Sequence, residues 1–507
     1  MAVQSGFRQP QFIRPGRIDR PSPVEMLVPE VTMNDQNRYQ PAPYVRIRHP
    51  EWLRSAVLYQ INTRQFTPEG TLQAAAEHLP RLERLGVDVL YLMPVHPIGR
   101  VNRKGTLGSP YAVRDHLEVN PEFGDLGDLR RFVDQAHSRG MRVILDWVAN
   151  HTAWDHVLVE EHPEWYAKNW RGEFRSTPWV DWPDVIDLDF SYPGLRQYLI
   201  EAMRFWVEDA DIDGYRCDVA GFVPLDFWVQ ARVELEAVKP VLLLAEWESR
   251  DVHADAFDMT YAWTWYDAVL QACRGDLSGL YKYCAWNEHA YPREALRMTF
   301  TSNHDKNAWE GTPFEQFGGG VEPAAVLSLL GEGTPLLYNG QEAGNPRRLA
   351  FFERDPITWQ DHPLGDLYRK LIRLKKDRTC LANGPWGGRM IPISTSHPEQ
   401  VFSFVRQDQT SKILVALNFT DRSFRVELED GPFPGVYQDF SSGERVELSD
   451  AAALALDPWG YRILDLLWPE TEESSQAAYL ENPQPGVDVD PGSLTPDEHP
   501  LVPMVQP

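Results

Sequence analysis

Eight short apolar runs, separated by longer helix-like segments, constrain this chain more than any other feature. They fall at residues 56–61, 87–93, 143–148, 214–219, 241–246, 256–261, 296–302 and 335–338. Helix-like stretches at 71–85, 126–138, 195–207 and 224–236 lie among them. Strand–helix alternation calls for a parallel sheet with crossover helices, and eight units fit a closed (β/α)₈ TIM barrel. Two segments break the pattern. Residues 151–192 are Trp-rich and loop-like, which predicts a short excursion domain after the third strand. After residue 383 the pattern becomes one of alternating strands with turns, as in QVFSFVRQ, KILVALNF and SFRVELED. That predicts a C-terminal antiparallel β-sandwich over 384–468, beside a barrel over 46–383. Residues 1–45 and the Pro-rich 469–507 show no periodicity and read as poorly ordered arms.

Composition bounds the partners. Of 507 residues 43% are apolar, enough for a sizeable core, and the net charge of -25 opposes nucleic acid and anionic membranes. Eight of the acids lie in 469–507, which holds no Lys or Arg. Cys217, Cys273, Cys284 and Cys380 form no CxxC pair and read as reduced thiols. The N-terminal MAVQSGFRQPQF has no apolar signal core, and no stretch is long and apolar enough for a span, so a soluble, cytoplasmic protein is expected.

The stretch DIDGYRCDVA carries three aspartates across a strand-like run. Alternation puts Arg216 and Asp218 on one face, and the C-terminal strand ends of a barrel form its mouth. Asp211 and Asp213 precede the strand and read as cap or loop residues. Asp218 reaches the mouth beside a fixed cation, and Arg216 is expected to keep it ionised by lowering its pKa. The next run, VLLLAEWES, ends in Glu246, whose apolar surroundings, Trp247 among them, are expected to raise its pKa. MTFTSNHDKN ends in His304 and Asp305, and RVILDWVANHT carries Asp146, Asn150 and His151. Four strands thus aim carboxylates or imidazoles at one opening. Two carboxylates with separated pKa values are what glycoside hydrolysis needs, and the 18 Trp of the chain include a cluster at 154–182 able to stack on sugar rings. His151 and His304 lack the spacing of a zinc site.

The segments DWVANHT, GYRCDVA, LLAEWES and FTSNHD resemble, in order and position, the four signature segments of the α-amylase family of glycoside hydrolases. GVDVLYLMPVHP, VIDLDFSYPGLR and GTPLLYNGQEAG agree with it, and the resemblance runs from about residue 51 to 467. It implies a barrel, an excursion domain and a C-terminal β-sandwich. It also implies roles: Asp218 as nucleophile, Glu246 as general acid/base, Asp305 as a third carboxylate on the sugar hydroxyls, and Arg216 as the residue that holds the nucleophile. His151 and His304 match histidines that bond the sugar at the cleavage site. Tyr111, in SPYAVRD, resembles a tyrosine beneath that ring, and Asp146 a structural acid near the arginine. Double displacement would retain the anomeric configuration, with the Asp218 and Glu246 carboxyls roughly 5–5.5 Å apart.

The departures concern metal and specificity. Many members bind calcium through the Asn150 position and a Lys-His carbonyl after the nucleophile strand, but here that strand continues as Val219-Ala-Gly-Phe222. The excursion has no run of acids at calcium spacing, so no metal is assigned and calcium remains only what the resemblance allows. The expected activity is hydrolysis of α-1,4-glucosidic bonds in maltooligosaccharides or other α-glucans. A transglycosylase or a trehalose-forming isomerase of the same family is the alternative. Lys306 and Glu310, in HDKNAWEGT, would put charges on the acceptor side. An inactive binding or transporter-associated protein is disfavoured, because all three carboxylates are kept and no span is present.

Overall fold

The computed structural model describes residues 41–468. The tail expected at 469–507 lies outside them, as do residues 1–40 of the expected N-terminal arm. At the arm's end Tyr44 packs against the Arg250 guanidinium (4.1 Å), Val45 is buried, and the Arg46 N–H donates to the Ala254 carbonyl (2.8 Å).

The chain forms β1 (Leu58–Ile61), β2 (Val89–Leu92) and β3 (Arg142–Trp147), then β4 (His151–Ala153) and β5 (Val185–Asp187) of the excursion. It continues with β6 (Gly214–Cys217), β7 (Leu242–Ala245), β8 (Met259–Tyr261), β9 (Leu296–Phe300) and β10 (Thr334–Tyr338). Eight of these close a barrel in the order β1-β10-β9-β8-β7-β6-β3-β2, every pair parallel. Both faces of such strands are covered, which is why they read as apolar runs and not as alternations. β4 and β5 pair antiparallel outside the barrel and place His151 opposite Asp187.

The structure corrects two expected elements. The helix predicted over 71–85 is two helices, Leu72–Ala76 and Leu79–Leu85, with Pro80 in the first turn of the second. Proline lacks the N–H a continuous helix would need and suits a helix start. The strand predicted over 214–219 stops at Cys217, because Val219 turns into the left-handed region (φ 35°, ψ 49°). At the other end of β6, Gly214 (φ 144°) is required: a Cβ there would sit 2.0 Å from the Leu242 carbonyl oxygen of β7.

The second domain comprises β11 (Met390–Thr395), β12 (Val401–Gln407), β13 (Lys412–Asn418), β14 (Phe424–Asp430), β15 (Gly435–Asp439), β16 (Arg445–Leu448), β17 (Ala453–Leu456) and β18 (Tyr461–Leu466). These antiparallel strands run β16-β15-β18-β13-β12-β11-β14-β17. β12 shows how period-two alternation joins the domains. Phe402 and Phe404 belong to the barrel's core, whereas Val401 and Val405 belong to the domain's own core. Between them, buried Arg406 donates to the carbonyls of Gly388 (2.9 Å), Gly331 (2.7 Å) and Ala382 (2.7 Å).

Three buried histidines stand at the foot of the excursion. The His116 Nε2–H donates to the Val148 carbonyl (2.9 Å), which leaves its Nδ1 to accept from His156 Nε2–H (3.0 Å). His156 Nδ1 in turn accepts from the Leu158 N–H (3.1 Å). These tautomers are assigned from the bond network, with the His116 and His156 rings both neutral. Burial lowers His116 to about 4 and His96, 5.9 Å away, to about 3, and holds His156 well below the usual range.

Candidate active site

The C-terminal ends of β3, β6 and β7 bring three carboxylates to one guanidinium. Arg216, fully buried on β6, donates from Nη1 to Asp146 (2.7 Å) and Asp218 (2.8 Å), and its Nη2 lies 2.6 Å from Glu246. Arg216 and Asp218 share a face, two residues apart, and β7 pairs with β6 so that Glu246 follows one step behind Cys217. Asp146 also accepts the hydroxyls of Tyr91 (2.6 Å) and Tyr111 (2.8 Å). Glu246 accepts the Val219 N–H (2.8 Å), a contact that the left-handed turn makes possible.

One cation cannot neutralise three buried carboxylates, so the cluster favours keeping a proton. Burial lifts Glu246 well above the ordinary glutamate range, against the pull of Arg216. Burial also lifts Asp218, to about 7, with Arg216 opposing and Asp146 adding to the shift. The expectation that Arg216 would lower the Asp218 pKa is therefore corrected. The two residues are 6% and 0% exposed, and loss of water outweighs the neighbouring cation. Arg216 itself stays charged: burial works against it, and Asp146 and Glu246 more than offset that.

Around the carboxylates runs a proton-ordered chain. Gln60 Nε2 donates to His304 Nδ1 (2.8 Å), and the His304 N–H donates to Gln60 Oε1 (3.1 Å). His304 Nε2–H then faces the Tyr111 hydroxyl (2.6 Å) and Asp305 Oδ2 (3.3 Å), and the Tyr111 hydroxyl in turn donates to Asp146. Burial lowers the His304 pKa, so the ring is held neutral. The Tyr111 ring stacks on His304 (5.4 Å between centroids), while Asp305 is the more open carboxylate. His151, held at the mouth by the β4–β5 pair, is lowered to about 3 by burial, and Trp182 tilts against it at 5.4 Å. The residues given site roles from the sequence thus stand at the barrel mouth, Asn150 beside His151, whereas Asp213 bonds His137 and the Val143 N–H at the other end of the strands.

Several participants were not anticipated. Gln60, a lone amide in the apolar LYQI strand, was legible as an anomaly. Tyr91 and Tyr261 surround Arg216, with its Nε 3.4 Å from the Tyr261 hydroxyl. Nothing in the sequence pointed to the Val219 backbone donor. The charges of Lys306 and Glu310 do not stand free on an acceptor side. They pair with each other (2.5 Å), and the ammonium lies over Tyr266 (4.6 Å) and Trp263 (5.2 Å).

The Asn150 surroundings do not fit calcium. Calcium takes six to eight oxygens. Here the Asn150 amide nitrogen, a donor, points at Thr177 Oγ1 (3.1 Å) and Asp187 Oδ1 (3.4 Å), and Thr177 donates to that carboxylate. A cation, Arg175, already lies 3.9 Å from the other Asp187 oxygen. Among the described residues no group of three or more His, Cys, Asp or Glu is arranged to hold a metal.

Comparison with known proteins agrees with this geometry. The model "Alpha amylase, catalytic domain" matches residues 48–382, and "Alpha amylase, C-terminal all-beta domain" matches 394–454. The chain is 28% identical over 404 residues to the α-amylase MalA of Haloarcula japonica, covering 75% of this chain and 58% of that protein's length. It is 27% identical over 424 residues to a cyclomaltodextrinase of a Bacillus species, covering 73% of each. Among solved structures, a noncanonic maltogenic α-amylase from Thermotoga neapolitana superposes with a TM-score of 0.76 at 31% identity, over 82% of this chain and all of that one.

Proposed function

The chain belongs to the α-amylase family of glycoside hydrolases, and on that premise we propose that it cleaves α-1,4-glucosidic bonds in maltooligosaccharides with retention of configuration. One observation carries the reading: Asp218 and Glu246, on adjacent strands, bind two nitrogens of one buried guanidinium, and burial raises Glu246 well above its usual range. Relatives whose names refer to α-glucans, among them a cyclomaltodextrinase and maltogenic amylases, support the substrate class.

The Asp218 carboxylate attacks the anomeric carbon while the protonated Glu246 gives its proton to the departing glycosidic oxygen. A glycosyl ester on Asp218 and a free sugar result. Glu246, now a carboxylate, takes a proton from water. The water oxygen bonds the anomeric carbon, and Asp218 leaves as carboxylate with Glu246 reprotonated. In this reading Asp305 binds ring hydroxyls, neutral His151 and His304 bond the sugar, His304 by turning its Nε2–H to it from Tyr111, Tyr111 lies beneath it, and Arg216 steadies both reacting carboxylates. Asp146 and Asn150 hold Arg216 and His151 in place. The barrel at 46–383 is read as the catalytic unit and 384–468 as its buttress.

The test is the anomeric form of the first product from maltopentaose, followed by NMR before mutarotation. The α-anomer is expected, and a β-anomer would overturn the double displacement. Transfer to a sugar is the second reading. Phe222, 43% exposed, meets edge-on the Trp247 that follows Glu246 in sequence (5.6 Å), an apolar surface that an acceptor sugar could use. Products longer than maltoheptaose, formed from maltoheptaose, would establish transfer.

A further inference from the structure

The chain makes a π-helical turn at Lys306–Glu310, immediately after Asp305. Such turns are rare and concentrate at functional sites. This one is firmly pinned: Asn307 is buried, its Oδ1 accepts the Leu349 N–H (2.9 Å), and its Nδ2 donates to the Arg347 carbonyl (3.3 Å). Lys306 and Glu310 are tied to each other. The remaining large side chain, Trp309, is nonetheless 45% exposed.

Its indole continues a row of rings that starts at the site. Tyr111 lies nearly parallel to Phe351 (6.2 Å, 14°), and His304 does likewise (6.1 Å, 28°). Phe351 meets Trp309 at 5.3 Å, and Phe352 meets Trp309 at 5.7 Å. Among the described residues, Phe351, Phe352 and Trp309 belong to none of the hydrophobic cores. An aromatic row that leads from a buried site to the surface without joining a core calls for an external partner with flat apolar faces. A sugar ring offers such faces, and the row begins where the scissile ring would lie.

We propose that Trp309, approached over Phe351, is a remote sugar-binding residue that makes the enzyme favour longer maltooligosaccharides over short ones. The proposal rests on the hydrolase reading above. It gives the π-turn a purpose: Asp305 and Trp309 are carried on one rigid segment, so the site and its outer platform keep a fixed spacing.

Trp309→Ala and Trp309→Phe are compared with the wild type on maltotriose and maltohexaose. The ratio of kcat/KM for maltohexaose over maltotriose should fall on the order of three- to tenfold in the alanine variant, through KM. The phenylalanine variant should recover most of it. Trp286→Ala is the control: Trp286 is 49% exposed on the helix Ser278–Ala290, away from the aromatic row, and the ratio should not move. Maltohexaose binding to Glu246→Gln, with and without Trp309→Ala, gives the same comparison by calorimetry. Equal losses on both substrates, or an unmoved ratio, overturn the role of Trp309 and leave the hydrolase reading standing. A wild type that neither cleaves nor binds any maltooligosaccharide overturns both.

Discussion

Two buried polar clusters meet at β3 and are built on opposite principles. At the mouth, Arg216 gathers Asp146, Asp218 and Glu246, so charge exceeds what one cation can neutralise. At the foot of the excursion, His156, His116 and the Val148 carbonyl are linked by single protons with no charge at all. The first cluster holds a proton that it can give up. The second holds protons only to fix geometry, each ring N–H given to a neighbouring acceptor. Burial acts on both, raising acids in one and lowering imidazoles in the other, so the same physics yields a reactive site and a structural joint.

The contrast breaks most visibly through Glu246. Glu246→Gln should lower turnover on any active substrate by about 10²–10⁴, and unimpaired kcat would remove the acid/base role. Arg216→Met comes next, because it leaves three buried carboxylates without their cation. It should cost about 3–5 kcal/mol in denaturant unfolding, and the loss should shrink as pH is lowered and the acids take up protons. A loss independent of pH would mean packing and not charge. The acid limb of kcat/KM should follow Asp218, whose pKa is near 7. Activity should therefore fall by about tenfold per pH unit below that point, where the carboxylate is protonated.

The histidine cluster predicts a smaller effect of opposite character. His116→Ala should cost on the order of 1–3 kcal/mol by leaving the Val148 carbonyl and the His156 Nε2–H without partners. It should also alter the acid response. Because the folded imidazoles have pKa values of about 3 to 4, the unfolded chain binds more protons below its own pKa of about 6.5. Stability is thus complete above about 6.5 and lost as pH falls towards 4. The slope of melting temperature against pH in that window should flatten in the variant. Smallest of all, a chelator should leave the melting temperature unchanged, since Arg175 and the Asn150 amide stand where calcium would need oxygens.

Much of the barrel was legible because its strands are covered on both faces and punctuated by helices, and period two alone put Arg216 with Asp218. What failed to show was the long-range content. No local pattern tells that Arg216 also reaches Glu246 on the next strand, that Gln60 holds His304 from 244 residues away, or that Pro80 begins a second helix. The direction of the Asp218 shift was misjudged because a neighbour in sequence is visible and a missing solvent shell is not. Val219 was read as the end of a strand because valine favours strands, and only tertiary context forces it left-handed.

That last residue bears on how the site can change over time. The group that steadies Glu246 belongs to the main chain, so every replacement of Val219 except proline still carries it. Loops at the rim, with Phe222, Trp182 and Trp309, can be exchanged one side chain at a time to suit new sugars. The donor that steadies the Glu246 carboxylate once its proton has left is encoded in the path of the backbone, where point mutation has little purchase.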